Sequence, residues 1–483
     1  MNFTAAHWSA LLPILLLSAT IVTVMLAIAF RRNHWWNATF AVIGLNAALI
    51  ACVPLLGNEP LSVTPLLVVD GYAAFYMALL LVTTLATATL SHAYLEGYAG
   101  NKEEMYLLLT LSALGGLVLV CSQHLAALFI GLELMSIPLY AMVAYAHKSR
   151  HALEGGLKYL VLSAAASAFL LFGMALMYAQ TGGLSFRELA GQFNLASPSL
   201  LLLAGAGLFL VGLAFKLSLV PFHLWTPDVY EGAPAPVAAY LASASKTAVF
   251  AVLLRWFVEA GGWRQPVLLD ILSVLAIASI LIGNVLALRQ ANVKRMLAYS
   301  SIAHFGYCLV ALIAAGAWAV EAVGIYLLTY VVTTLGAFGV LTLVSSPMHE
   351  RDADAIYDYR GLFWRRPYLA SILTAMLLSL AGIPLTAGFI GKFYVILAGV
   401  DARMWWLLGA VVLGSAVGLY YYLRLMITLF MLDPEKRRFE APLDWAQRAG
   451  GTMVWALMGL MLLLGIYPTP FINLLRGAGL APY

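Results

Sequence analysis

The sequence has little charge and almost no cysteine. Only 10% of its 483 residues are Asp, Glu, Lys or Arg, and three are Cys. So little charge excludes most soluble domains. The net charge of +4 is small and spread over loops, which argues against a nucleic-acid partner. Cys52, Cys121 and Cys308 lie far apart, within apolar runs or at the edge of one, so neither a disulfide framework nor a metal spacing is expected. GxGxxG, P-loop and CxxC patterns are missing too, so no redox cofactor bound by this chain is expected. The first apolar run ends at Arg31-Arg32 without a small-residue cleavage motif, and no removable signal peptide is expected.

What is present is apolar. Hydrophobic residues make up 63% of the chain, and the mean hydropathy is +0.92. That composition predicts an all-α integral membrane protein crossing the bilayer many times. A spanning helix needs about 20 apolar residues. Fourteen runs qualify: 9–30, 35–56, 70–95, 104–121, 124–146, 152–180, 198–224, 235–259, 268–288, 295–316, 319–345, 368–397, 404–430 and 451–475. They are called helices 1 to 14 below. No long polar insert separates them, so residues 1–483 read as a single membrane domain.

Lys and Arg in the loops set the orientation. Loops after odd-numbered helices hold Arg31, Arg32, Lys102, Lys148, Arg150, Arg289, Lys294, Arg295, Arg351, Arg360, Arg365, Arg366, Lys436, Arg437, Arg438 and Arg448. The other side holds only Arg187, Arg264, Arg403 and Arg476. The odd loops are therefore expected in the cytoplasm and both termini on the opposite side.

The chain also repeats itself. GLKYLVLSAAASAFLLFG (156–173) lines up with GIYLLTYVVTTLGAFGVL (324–341) at an offset of 168, and KTAVFAVLLRWF (246–257) with SAVGLYYYLRLM (415–426) at 169. LSLVP (217–221) is answered by LSLAGIP (378–384) after a small gap. The offset spans five helices, an odd number, so the copies are inverted in the membrane. Helices 4–8 (104–259) and 9–13 (268–430) form the pair, flanked by helices 1–3 (1–103) and helix 14 (451–475). Inverted repeats place transport sites at their interface, beside interrupted helices. Pro221 in helix 7 and Pro384 in helix 12 mark such interruptions, because proline removes a backbone donor and clashes with the preceding turn.

Five ionisable residues fall inside the spans: Glu133, Lys158, Lys216, Lys246 and Lys392. Each costs on the order of 3 kcal/mol at mid-bilayer, so they are expected to face the protein interior or a hydrated cavity. A buried lysine can hold or release a proton near neutral pH when a carboxylate approaches or withdraws. Four lysines and one glutamate therefore suggest a proton relay, whereas a sodium site would favour oxygen ligands. Lys158, one turn into helix 6, can instead snorkel to the surface. His223 after the break in helix 7 is a candidate bridge between Lys216 and Lys246, and His304 in helix 10 a candidate for the second half. Arg255 and Arg424 read as snorkelling anchors near helix ends. The counterpart of Glu133 is Ser301 and that of Lys246 is Ser415, so only one half keeps the full charge set. A passive scaffold held by these charges is the alternative.

The run FKLSLVPFHLWTPDVYEGAPAPVAAYLASASK (215–246), with the inverted repeats and broken helices 7 and 12, resembles the antiporter-like membrane subunits of respiratory complex I. Mrp-type antiporters and membrane hydrogenases are relatives and supply a second reading. Larger members tend to carry PDAH where this chain has PDVYEGAPAP, and they extend into a long lateral helix that is not expected here. GFIGKFY around Lys392 fits the same shorter branch. The resemblance implies that Glu133 and Lys216 are ion-pair partners, Lys246 the central lysine and Lys392 the terminal one. Lys158 and His223 become further members of the relay. It implies other subunits of the complex as partners, paralogous ones included, and a place in the bacterial inner membrane. NADH, FMN, iron–sulfur clusters and quinone would be used by those partners.

Overall fold

The computed structural model describes residues 4–98, 100–195, 198–314, 319–345, 352–431 and 445–478, with side chains from 448 in the last segment. Arg351, Lys436, Arg437 and Arg438, counted above for orientation, lie outside the described residues. Among the described residues, twelve helices are long and apolar enough to cross a membrane. The sequence gives fourteen runs, and the difference lies in two places. Helix 4, Glu104–Val120, has 17 residues and falls just short by length. Helix 12 folds as two short helices, Pro367–Ala381 (12a) and Ala387–Asp401 (12b).

Burial is layered. Helices 8 (Ala235–Glu259), 10 (Val293–Ile313) and 11 (Ala319–Val344) are wholly enclosed and form the centre. Helices 1 (Ala5–Phe30), 2 (His34–Leu55), 6 (Arg150–Thr181) and 14 (Arg448–Ile466) bury about a third of their apolar windows and expose the rest. An outer helix can be apolar all round because lipid, like the core, offers no hydrogen bonds. Polar side chains on the inner faces mostly bond a carbonyl one turn back, as Thr83 does to Leu79 and Thr342 to Phe338.

Both breaks have the same local cause. Helix 7a (Leu200–Leu217) ends because Ser218 turns left-handed at φ 62, and the Leu219 amide donates back to the Ala214 carbonyl. Helix 12a ends because Gly382 turns left-handed at φ 86, and the Ile383 amide donates back to Leu378. This is the same six-residue closing bond in both, a Schellman cap. The helices therefore stop before Pro221 and Pro384 rather than at them. Proline bars the residue ahead of it from helical geometry. Helix 7 also does not end at 224, as the apolar run suggested. After the connection it resumes as helix 7b, Trp225–Gly232, whose polar WTPDVYEG reads as loop in sequence.

Two isolated backbone bridges stand at corresponding places in the two halves of the chain. His124 pairs with Ser185, joining the start of helix 5 to the segment after helix 6. Asn292 pairs with Ala355, joining the start of helix 10 to the segment after helix 11. The 168-residue offset that relates the sequence blocks also carries His124 to Asn292.

Gly388, at the start of helix 12b, shows how tightly the second break is packed. A Cβ there would lie 1.8 Å from the Ser379 carbonyl oxygen, a backbone atom that cannot swing away. Gly388→Ala is expected to push 12b from 12a and destabilise the protein by roughly 1–3 kcal/mol. Gly409→Ala, which meets nothing within 4 Å, serves as the neutral control. Thermal melting of the two variants in detergent compares them, and equal midpoints would show that the break tolerates the methyl group.

Candidate functional site

Lys216 occupies the last turn of helix 7a, where the helix dipole favours a cation. It is buried, at 5% exposure. Its ammonium donates to Ser136 Oγ and Ser163 Oγ, both at 2.7 Å, with Tyr140 OH at 3.4 Å. Glu133 Oε1 stands 4.0 Å away and accepts a 2.6 Å hydrogen bond from Ser167. The pair expected from sequence is therefore present but loose. At that distance it is an electrostatic contact and not a hydrogen bond. Helix 5 supplies Glu133, Ser136 and Tyr140, and helix 6 supplies Ser163 and Ser167, so one intramembrane charge is held by two hydroxyl-bearing faces.

The connection 218–224 leaves carbonyls of helix 7a without helical partners. Trp225 Nε1 returns to the Phe215 carbonyl at 3.1 Å, and the Val220 amide donates to Ser279 Oγ at 3.0 Å. His223 is buried in this connection beside the Pro221 carbonyl, and among the described residues no side chain hydrogen-bonds either ring nitrogen. It touches neither Lys216 nor Lys246 through a hydrogen bond, so the direct bridge read from sequence is not formed.

Lys246 is fully buried at the centre of the bundle. It follows a π-helical segment, Leu241–Ser245, which interrupts helix 8 just before it. Such segments widen the helix by one residue and commonly accompany functional sites. Lys246 donates to Ser301 Oγ at 2.9 Å and lies over the rings of Tyr230 and Phe305, at 5.5 Å and 5.3 Å. Ser301 is the residue that the sequence offset sets against Glu133. Lys246, in the first half of the chain, is thus held by a hydroxyl of the second half.

In the second half His304 lies between two tyrosines, Nδ1 to Tyr326 OH at 2.7 Å and Nε2 to Tyr422 OH at 3.3 Å. Tyr422 in turn meets Ser300. Lys392, 8% exposed in helix 12b, donates to the Ala381 carbonyl at 2.8 Å and lies 5.3 Å from the Tyr307 ring. Ala381 is the last residue of helix 12a, so the lysine caps a carbonyl that the break leaves free.

One sequence reading needs correction. Arg255 is not an anchor at the membrane surface. It is 1% exposed, forms a two-pronged bond with Asp70 at 2.7 Å and 2.9 Å, and reaches Glu259 at 3.0 Å. Asp70, the first residue of the third apolar run, caps helix 3. Arg424, part-buried, donates to the carbonyls of Leu288 and Gln290 at the end of helix 9. Lys158 stands apart from the buried row. Its side chain is 40% exposed and pairs with Glu154 and Asp228, each at 2.6 Å.

That pairing belongs to a cluster the sequence did not reveal. Asp228 and Glu231 of helix 7b both meet Arg295 at 2.7 Å, and Lys294 meets Asp352 at 2.7 Å. The cluster ties helix 7b to helices 6 and 10. Its advance signals were the acidic pair in PDVYEG and the basic pair Lys294-Arg295, which stands in the first turn of helix 10.

A family described as NADH:quinone oxidoreductase/Mrp antiporter, TM matches residues 122–418. The NADH-quinone oxidoreductase subunit N of Ectopseudomonas mendocina (strain ymp) is 61% identical over 99% of this chain and 98% of its own. A chain of respiratory complex I from Thermus thermophilus, solved with bound aureothin, has a TM-score of 0.83 at 35% identity, covering 97% of this chain and 100% of that one. A chain of the Mrp complex from Dietzia sp. DQ12-45-1b shares the fold, with a TM-score of 0.86 at 21% identity over 97% and 96% of the two chains. Full-length identity to a subunit N, together with the matched family region, leads to one conclusion: this multi-pass membrane chain belongs to the NADH:quinone oxidoreductase/Mrp antiporter transmembrane family.

Proposed function

We propose that this chain is a proton-translocating membrane subunit of a bacterial NADH:quinone oxidoreductase. NADH oxidation and quinone reduction take place in partner subunits, which hold the FMN, iron–sulfur clusters and quinone. This chain has no redox centre of its own and carries the coupled charge movement. It lies in the cell inner membrane beside paralogous antiporter-like subunits, with both termini on the periplasmic side. The observation that carries the reading is the loose contact of Glu133 with buried Lys216 at the end of a broken helix. Serine hydroxyls hold both groups, so the ion pair can open and close without either charge losing all its partners. Identity of 61% to a subunit N, against 21% to the Mrp chain, favours the redox-driven reading over the antiporter one.

The relay begins at Glu133 and Lys216, passes to Lys246, and leaves through the second half by His304 and Lys392. Lys158 takes its place at the margin, in the Asp228 cluster. His223 would act through water, because no side chain bridges it to either lysine.

The test uses the assembled complex in sodium-free proteoliposomes. NADH with quinone is expected to drive proton uptake, and Lys246→Ala to lower that uptake roughly tenfold. Wild-type uptake by an intact Lys246→Ala complex would remove this chain from the proton path. An absolute need for sodium would favour the antiporter reading.

A further inference from the structure

Lys246 needs an outlet towards the second half, and its one hydrogen-bonded neighbour, Ser301, is itself bonded onward. Tyr330 OH of helix 11 lies 2.8 Å from Ser301 Oγ and 3.1 Å from the Ala242 carbonyl. Ala242 belongs to the π-helical segment, where the changed bonding pattern leaves its carbonyl available to a side chain. The Tyr330 ring stands 5.4 Å from the His304 ring. Tyr330, His304 and Tyr326 line one small cavity, with Ser379 and Gly388 of the helix 12 break on its far wall. Thr329 and Thr333 also line it, and its size suits about one water molecule.

We propose that Tyr330 passes protons between Lys246 and the second half of the chain. This rests on the relay reading above and adds to it the link that the missing glutamate leaves open. A hydroxyl both donates and accepts, so it hands a proton on without holding charge. In the step, the Lys246 ammonium gives a proton to Ser301 Oγ as the Ser301 hydroxyl proton moves to the Tyr330 oxygen. Tyr330 releases its own proton to a water in the cavity. That water gives a proton to the Tyr326 oxygen, and the Tyr326 hydroxyl proton goes to His304 Nδ1. Lys246 ends neutral and His304 cationic, while serine, water and both tyrosines are regenerated with their hydrogens turned round. The Ala242 carbonyl supplies the resting position. While the Tyr330 proton points there the wire is open, and rotation towards the cavity closes it. A glutamate at position 301 would trap the proton beside Lys246, whereas serine lets it through.

The experiment compares Tyr330→Phe, Ser301→Ala and Lys246→Ala in the assembled complex in proteoliposomes. Phenylalanine keeps the ring against His304 and Phe305 and removes only the hydroxyl. Tyr330→Phe and Ser301→Ala are each expected to lower NADH-driven proton uptake roughly tenfold, with the amount of assembled complex and its thermal midpoint little changed. Normal uptake in Tyr330→Phe, with Lys246→Ala impaired, overturns the link and leaves the relay standing. Normal uptake in all three overturns both. If Tyr330→Phe fails to assemble, Ser301→Ala decides alone, and normal uptake there rejects the link.

Discussion

Glu133→Gln is expected to leave an assembled complex whose NADH-driven proton uptake is roughly tenfold lower than normal. Glutamine keeps the shape of the side chain and its contact with Ser167, but removes the charge that Lys216 faces at 4.0 Å. At that distance, with an effective dielectric near 20, opposite charges attract with about 4 kcal/mol. Glu133 is partly exposed, 24% by side chain, so the working value is smaller. Even a fraction of it matters, because 1.4 kcal/mol is a factor of ten in any two-state balance. Without the carboxylate Lys216 has only neutral hydroxyls around it, and the pair can no longer alternate between two states. Glu133→Asp keeps the charge on a shorter arm and should retain a substantial part of the uptake. Proton uptake per electron is the quantity to measure, in inverted vesicles or proteoliposomes. Wild-type stoichiometry in Glu133→Gln, with the complex intact, would remove the ion pair from the mechanism.

The largest effect on stability is expected from Arg255→Met. Arg255 neutralises Asp70 and reaches Glu259 in a region that excludes water, and its guanidinium lies 4.7 Å from the Tyr72 ring. Removing one member of a buried charge cluster leaves the others without compensation and costs about 3–5 kcal/mol. The amount of assembled complex and its thermal midpoint should both fall. Arg255→Lys should recover little, since an ammonium cannot make the two parallel bonds that Asp70 accepts. Adding Asp70→Asn to Arg255→Met should restore part of the loss by removing one stranded charge. A surface anchor would behave differently, and an unchanged midpoint in Arg255→Met would return Arg255 to that role.

Much of the site was legible before any coordinates. A lysine in an apolar run must find partners, so Lys216, Lys246 and Lys392 announced themselves by cost alone. Lys158 did so too, and its snorkelling alternative matches its exposed, ion-paired position. The partners were less visible. Serine and threonine are common in membrane helices for local reasons, so nothing in sequence marked Ser136, Ser163 or Ser301 as ligands of an ammonium. Nor did any sequence pattern mark the tyrosines around His304, since aromatic residues are common in apolar spans. Helix periodicity did not help, because a helix between lipid and core is apolar on both faces and has no polar stripe to show which side is inside. For the same reason Arg255 was misread: its partner Asp70 is distant in sequence and opens another span.

The breaks were half legible. Pro221 and Pro384 showed that helices 7 and 12 are interrupted, but the stopping residues are Ser218 and Gly382, fixed by left-handed caps that composition does not display. Helix 7b was lost altogether, because its acids pair with Lys158 and Arg295 from elsewhere in the chain.

The sequence by itself determined the class of protein, the burial of Lys216, Lys246 and Lys392 and the two places where helices must break. Those follow from transfer energies and proline geometry, which act on a residue wherever it sits. Only the tertiary structure decided that Glu133 stands off from Lys216, that Lys246 rests on Ser301 and that Arg255 is a core residue. A hydrogen bond depends on a few tenths of an ångström between segments far apart in the chain, and no local pattern carries that distance.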